Sequence, residues 1–220
     1  MSSQAAPQLA LSPGETYPHQ VAALIETGRQ FHEMKWSLAT SSNYSIRVSD
    51  APLLLMTASG KDKGRLQSDD FVLVGPDGKL VSDQGNLRPS AETQLHISAI
   101  SMFNAGCVLH THSVYAAVLS ERFASQGEIS FTGYEMQKGI EGVTTHDTTL
   151  TLPIFDNDQD IVALRKRVEA RLTPSFASHG YLIRKHGLYA WGTDLNAARR
   201  HVEALEFLLE ATARALAVKE

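Results

Sequence analysis

The chain has 220 residues, enough for one sizeable domain with a full core or for two small ones. Its 43% hydrophobic and 20% charged content is that of an ordinary globular protein. A net charge of −4 excludes whole-chain attraction to nucleic acid or to an anionic membrane, so a small anionic substrate would need local positive charge or backbone N–H groups. The single cysteine, Cys107, cannot form an intramolecular disulfide, which fits a reducing compartment. It lies in an apolar run with no basic neighbour and reads as a buried, inert thiol. The first residues lack the charged start and apolar core of a signal peptide, and no apolar stretch approaches membrane-spanning length. We expect a cytoplasmic protein, with residues 1–16 as a flexible N-terminus and 17–220 as one domain.

After Pro18, the residues Val21, Leu24, Ile25, Phe31 and Met34 follow helical spacing to about Trp36. "SLATSSN" is a small polar loop, "YSIRV" alternates like a strand, and "APLLLMTASGKDKG" is an apolar strand ending in a turn. "FVLV", "GPDGK" and "LVS" form a hairpin-like unit. "RPSAETQLHISAISMFNAG" reads as a helix with Ser90 as N-cap, Glu92 in the first turn and Gly106 past the end. "AGCVLHTHSVYAAVL" is an apolar strand that runs into two histidines and then a helix from about Ser113 to Phe123. Residues 126–151 have no clean period. "TLPIF" is a short strand, "DIVALRKRVEARL" a helix, and "GYLIRKHGLYAWG" two strands around a His-Gly turn. From Asp194 a long amphipathic helix places Leu195, Ala198, Val202, Leu205, Leu209, Ala213 and Leu216 on one face, with Thr193 or Asp194 as its cap. Mixed strands and helices without strict alternation predict one α/β domain whose mixed sheet is covered on both faces.

Residues i and i+2 of a strand point to one face, with Cα atoms ~6.5–7 Å apart. His110 and His112 so placed form half of a metal site. Catalytic zinc takes about three protein ligands and keeps a position open, and "RKHGLYAWG" offers His186 at a turn for the third. Ordinary hydrogen-bonded histidines are the competing reading, although the end of an apolar strand is where ligands collect in α/β sheets. Of the other six, His19, His32, His96, His179 and His201 read as surface or core residues. His146, in "TTHD", stays open as a contact to substrate or to another site residue.

Three loops share small hydroxyl residues and exposed backbone N–H groups: "TSSN" ending at Asn43, "TASGKDKG" with Ser59, Gly60 and Lys61, and "RPSAE" with Ser90. Each alone is an ordinary turn or cap. Together, beside a candidate metal site, they suit a phosphate. Glu135, in "GYEMQKGIEG", and Glu92 are carboxylates that could move protons near a metal-bound hydroxy-ketone.

Taken in order, "ATSSN", "TASGK", "RPSAETQLH", "LHTHS" and "RKHGLYAWG" resemble the class II aldolase/adducin family from about residue 18 to 215. "SGKDKGRLQSDDF", "GYEMQKGI" and "LPIFDNDQDI" are similar to segments of the family's dehydratases, lyases acting on a sugar phosphate. The resemblance implies a three-layer α/β/α domain with a central mixed, largely antiparallel sheet. It implies one zinc ion per subunit on His110, His112 and His186, and phosphate contacts at Asn43, Ser59, Gly60 and Ser90. It also implies a homotetramer with active sites between subunits. In the family's aldolases the glutamate matching Glu92 serves at the metal, as ligand or proton carrier; in its dehydratases the residue matching Glu135 is the acid/base, for which a raised pKa through partial burial is expected. Aldol cleavage or epimerisation uses the same parts, and an adducin-like interaction module would lack the metal ligands. One departure is Ser42, where the family commonly has glycine; serine tolerates a positive φ poorly.

Overall fold

A computed structural model describes residues 12–49, 53–81, 84–173, 176 and 178–218. Eight strands form one sheet: β1 (Asn43–Arg47), β2 (Leu54–Thr57), β3 (Phe71–Val74), β4 (Cys107–Thr111), β5 (Glu128–Phe131), β6 (Leu150–Phe155), β7 (Gly180–Ile183) and β8 (Gly187–Gly192). Their spatial order is β3-β2-β1-β4-β8-β7-β6-β5, and every neighbouring pair is antiparallel except β6 with β7. The two central strands, β4 and β8, therefore carry both histidine segments side by side. Apolar residues on both faces of the strands demand cover on both sides.

One face is covered by α2 (Pro18–Glu33), α4 (Val114–Arg122) and α6 (Leu195–Val218), which bring Leu24, Phe31, Leu119, Val202, Leu205 and Leu209 into one core with Cys107 and Leu109. On the other face, α3 (Thr93–Phe103) and α5 (Ile161–Arg171) contribute Leu95, Ile100, Leu164 and Val168 to a second core with Val108, Tyr189 and Trp191. The three-layer α/β/α architecture expected above is the one observed. Cys107 is fully buried, and burial pushes its thiol pKa up, as an inert thiol requires.

Local rules account for most helix ends. Asp194 accepts a hydrogen bond from Ala197 N–H at 2.8 Å and caps α6; Asp160 and Ser113 do the same for α5 and α4. Four boundaries differ. Residues 12–16, expected to be flexible, include the short helix α1 (Pro13–Thr16), held by a Ser12–Glu15 capping box with Pro13 buried; residues 1–11 lie outside the described residues. Helix α2 ends at Glu33 rather than near Trp36, because Lys35 turns left-handed at φ 63°. Ser90 does not cap α3, and Glu92 is not in its first turn: Glu92 itself is the N-cap, and Ser90 Oγ accepts from Glu92 N–H one turn earlier. Helix α3 stops at Asn104, which takes the left-handed conformation two residues before Gly106. The "LVS" arm of the hairpin is one bridge, Val74 with Leu80, and Ser82 lies outside the described residues. Within 126–151, β5 and a 3-10 turn, Glu135–Gly139, stand where no period was legible.

Candidate metal centre and active site

The sheet register assembles the site. His110 lies on β4 opposite Asn43 of β1 on one side and opposite Tyr189 of β8 on the other. Thr111 points to the α6 face, where it bonds Glu206, so His110 and His112 share the opposite face. His186 arrives from the turn between β7 and β8, which is pinned to α4 by Lys185 N–H donating to Ser120 Oγ and by the Arg184–Glu121 ion pair. Gly187 makes the approach feasible: a Cβ there would lie 2.0 Å from Thr111 O and 3.0 Å from His110 Cε1. His110 is held by its Nδ1 donating to Leu188 O at 2.9 Å and by stacking on Tyr189 at a centroid distance of 4.0 Å.

With Nδ1 protonated, His110 presents the lone pair of Nε2 to its neighbours. That atom lies 2.8 Å from His112 Nε2 and 3.3 Å from His186 Nε2. A proton can bridge one such pair, whereas a cation between the rings satisfies all three lone pairs together. Burial, with the neighbouring His112 and His186, pushes the pKa of His110 well below its usual value; burial, then His186 and Lys63, lowers that of His112 to about 4. His110 and His112 are thus held neutral, as metal ligands must be. His110, His112 and His186 could hold a metal ion.

Glu92 meets the same point: Oε1 is 3.2 Å from His186 Nε2 and Oε2 is 3.5 Å from His110 Nε2. Asn43 orients it by donating to Glu92 Oε2 at 2.8 Å and to Ser90 Oγ at 3.2 Å. Asn43 is in turn fixed by His96, whose other nitrogen bonds Ser45 Oγ. Buried His96, whose pKa burial lowers to about 3, was legible only as a surface or core residue. The site opens on a cleft of about 290 Å³ lined by loop 40–43, Ser59, Gly60, Ser90, His112, His186 and the β6–α5 connection at Asn157–Gln159. Nothing in the last segment's sequence marks it as part of a site, since its place at the cleft follows from strand order, with β6 two strands from β8. Lys61 is not at the cleft; Asp70 binds its ammonium at 2.6 Å, and it faces an adjoining depression. Ser42 does take φ 72°, and Ala39 and Thr40 are left-handed too, so the loop carries strain where it lines the cleft.

Glu135 is elsewhere. Its exposed carboxylate pairs with Lys138 Nζ at 2.6 Å and His146 Nδ1 at 2.9 Å, and it is absent from the cleft lining. The expectation of a raised pKa is not met: Lys138 first, then His146, lowers it. A second cluster, Glu141, His179 and His201, also brings ligand atoms within 4.8 Å of one another. Both nitrogens of His201 are already satisfied, by Trp191 O at 2.7 Å and Glu141 N–H at 3.1 Å, so a metal there would displace a backbone bond.

A three-histidine centre on this sheet, fringed by loops rich in small hydroxyl residues, defines a class. The chain belongs to the class II aldolase family, matching the model "Class II Aldolase and Adducin N-terminal domain" over residues 22–213. Among curated relatives it is 46% identical to "Methylthioribulose-1-phosphate dehydratase" of Sorangium cellulosum (strain So ce56), covering 86% of this chain and 89% of the relative. It is 47% identical to the protein of the same name from Xanthomonas campestris pv. campestris (strain 8004), covering 87% of each. Among solved structures, L-fuculose-1-phosphate aldolase from Thermus thermophilus matches with a TM-score of 0.72 at 20% identity, over 91% of this chain and 97% of that one, a likeness of fold.

Proposed function

We propose that this protein dehydrates 5-methylthioribulose 1-phosphate to 2,3-diketo-5-methylthiopentyl 1-phosphate, a hydro-lyase step of methionine salvage, as a homotetramer with one zinc ion per subunit. The observation that carries this reading is 46–47% identity over nearly the full chain to proteins of that name, in a chain that keeps three convergent histidines. His110, His112 and His186 would hold the ion, with Glu92 as a further oxygen donor or proton carrier. When bound, it supplies Lewis acidity to the substrate's carbonyl and hydroxyl oxygens. Ser59, Gly60 and Ser90 receive the phosphate through hydroxyl and backbone N–H groups, and Asn43 keeps Glu92 aimed at the reacting carbons. Holding the chain this way lowers the entropic cost of reaction.

Glu135 is the proton carrier. The carboxylate form favoured by Lys138 is competent as a base. It removes the C3 proton and, now an acid, returns that proton to the C4 hydroxyl. The C4–O bond breaks, water leaves, and the C3 enol tautomerises to the ketone. Because Glu135 lies outside the cleft lining of its own chain, it acts in this reading at the cleft of a neighbouring subunit. The test is incubation of purified protein with 5-methylthioribulose 1-phosphate, with and without chelator, and product identification by mass. A product about 18 Da lighter than substrate, lost on chelation, is expected from the departure of one water; two carbonyl fragments would mean aldol cleavage instead.

A further inference from the structure

A dianionic phosphate needs positive charge, and the cleft lining contains none of it on lysine or arginine. Instead it includes Glu92 and Asp158. Lys61 is engaged by Asp70, and Arg88 lines the adjoining depression. One cation lies directly behind the loops. Lys63 is 1% exposed, among the largest fully buried side chains of the protein. It belongs to the 3-10 turn Lys63–Arg65, which packs closely on α2; a Cβ on Gly28 of α2 would lie 2.4 Å from Lys63 O.

The Lys63 ammonium donates to Lys61 O at 2.5 Å and Thr40 O at 3.4 Å, the backbones of two loops that bound the cleft. Among the described residues no carboxylate is within ion-pair distance of it, although Asp62 and Asp70 act on it from further away. Burying an ammonium without a counterion is costly, and burial lowers its pKa to about 8. An anion arriving in the cleft would offset that cost.

We propose that Lys63 is the positioning cation of the phosphate subsite. It draws the carbonyls of Thr40 and Lys61 toward itself, leaving the Gly60 N–H and the Ser59 hydroxyl for the cleft they line, and it supplies from behind the charge that the bound phosphate lacks in front. This rests on the phosphate reading of the cleft given above.

The test uses Lys63→Met, which removes the charge, and Lys63→Gln, which also removes it but keeps donors for the two carbonyls. For each folded, metal-loaded variant, inorganic phosphate is measured as a competitive inhibitor alongside KM and kcat. The expected result is phosphate inhibition weakened tenfold or more, with KM raised by a similar factor and kcat changed far less. Wild-type phosphate affinity in a folded Lys63→Gln protein overturns the assignment. If wild type itself does not bind inorganic phosphate, the phosphate reading of the cleft fails first and takes this inference with it. Should neither variant fold, 13C NMR of wild-type lysines decides: the Lys63 titration moves upward on adding inorganic phosphate, and an unmoved titration overturns the proposal.

Discussion

Glu206 shows how one buried carboxyl ties function to stability. It sits on α6 at 2% exposure and accepts a hydrogen bond from Thr111 Oγ1 at 2.8 Å, directly behind the strand that bears His110 and His112. Burial raises its pKa from 4.5 to about 7, against the pull of the Ser113 and Thr111 hydroxyls. A folded-state pKa above the unfolded value means that the native state binds the extra proton. The group's contribution is therefore fully present below pH 4.5 and is lost as pH rises through 7. Glu206→Gln keeps an acceptor for Thr111 and never ionises. Its melting temperature relative to wild type should rise between pH 5 and pH 8, by a few degrees for a difference on the order of 1 kcal/mol. Calorimetry at the two pH values checks this; a difference independent of pH would show that the Glu206 carboxyl titrates in the native state as it does in the unfolded chain.

At the scale of elements, the closeness of β4 and β8 decides whether a metal site exists. Gly187→Ala would put a methyl 2.0 Å from Thr111 O, a backbone atom that cannot step aside, next to His110 and His186. The expected outcome is a loss of 2 kcal/mol or more, roughly that of a steric insertion in a packed interior, together with reduced bound metal in whatever fraction folds. Metal analysis and thermal melts measure both; normal occupancy and stability would mean that β8 can shift without moving the histidines. Such contacts mark the limit of what was legible in the sequence. The period-two face of His110 and His112, the turn at His186, the helix starts at Ser113 and Asp160 and the cap at Asp194 are local, and local chemistry can be read from neighbours. Ser90 was misplaced because a distant partner engages a good capping residue: its hydroxyl accepts from Asn43 across 47 positions and α3 starts later. The His96–Asn43–Glu92 chain and the Asn157–Gln159 lining depend on strand order, which no single segment states.

At the scale of the molecule, the proposed proton carrier and the candidate metal ligands belong to different regions of the surface. Glu135 stands exposed beside Lys138 and His146, while the histidines line a cleft that does not include it. The homotetramer proposed above, with sites between subunits, would reconcile the two, and side chains such as Met136, Val114, Val118 and Phe207, all at least 40% exposed, offer apolar surface for association. The arrangement makes a prediction that single substitutions cannot. Glu135→Gln should keep fold and metal but lose orders of magnitude in turnover, and His112→Ala should lose metal and turnover. Unfolded and reassembled together, the two inactive proteins should regain activity, because some clefts receive three histidines from one subunit and Glu135 from the next. With equal amounts and random assembly about a quarter of the clefts would be intact, which sets the ceiling on recovery. Native mass spectrometry confirms mixing and a turnover assay reads the result. Mixed oligomers no more active than their parents would place Glu135 at its own chain's cleft or outside the reaction.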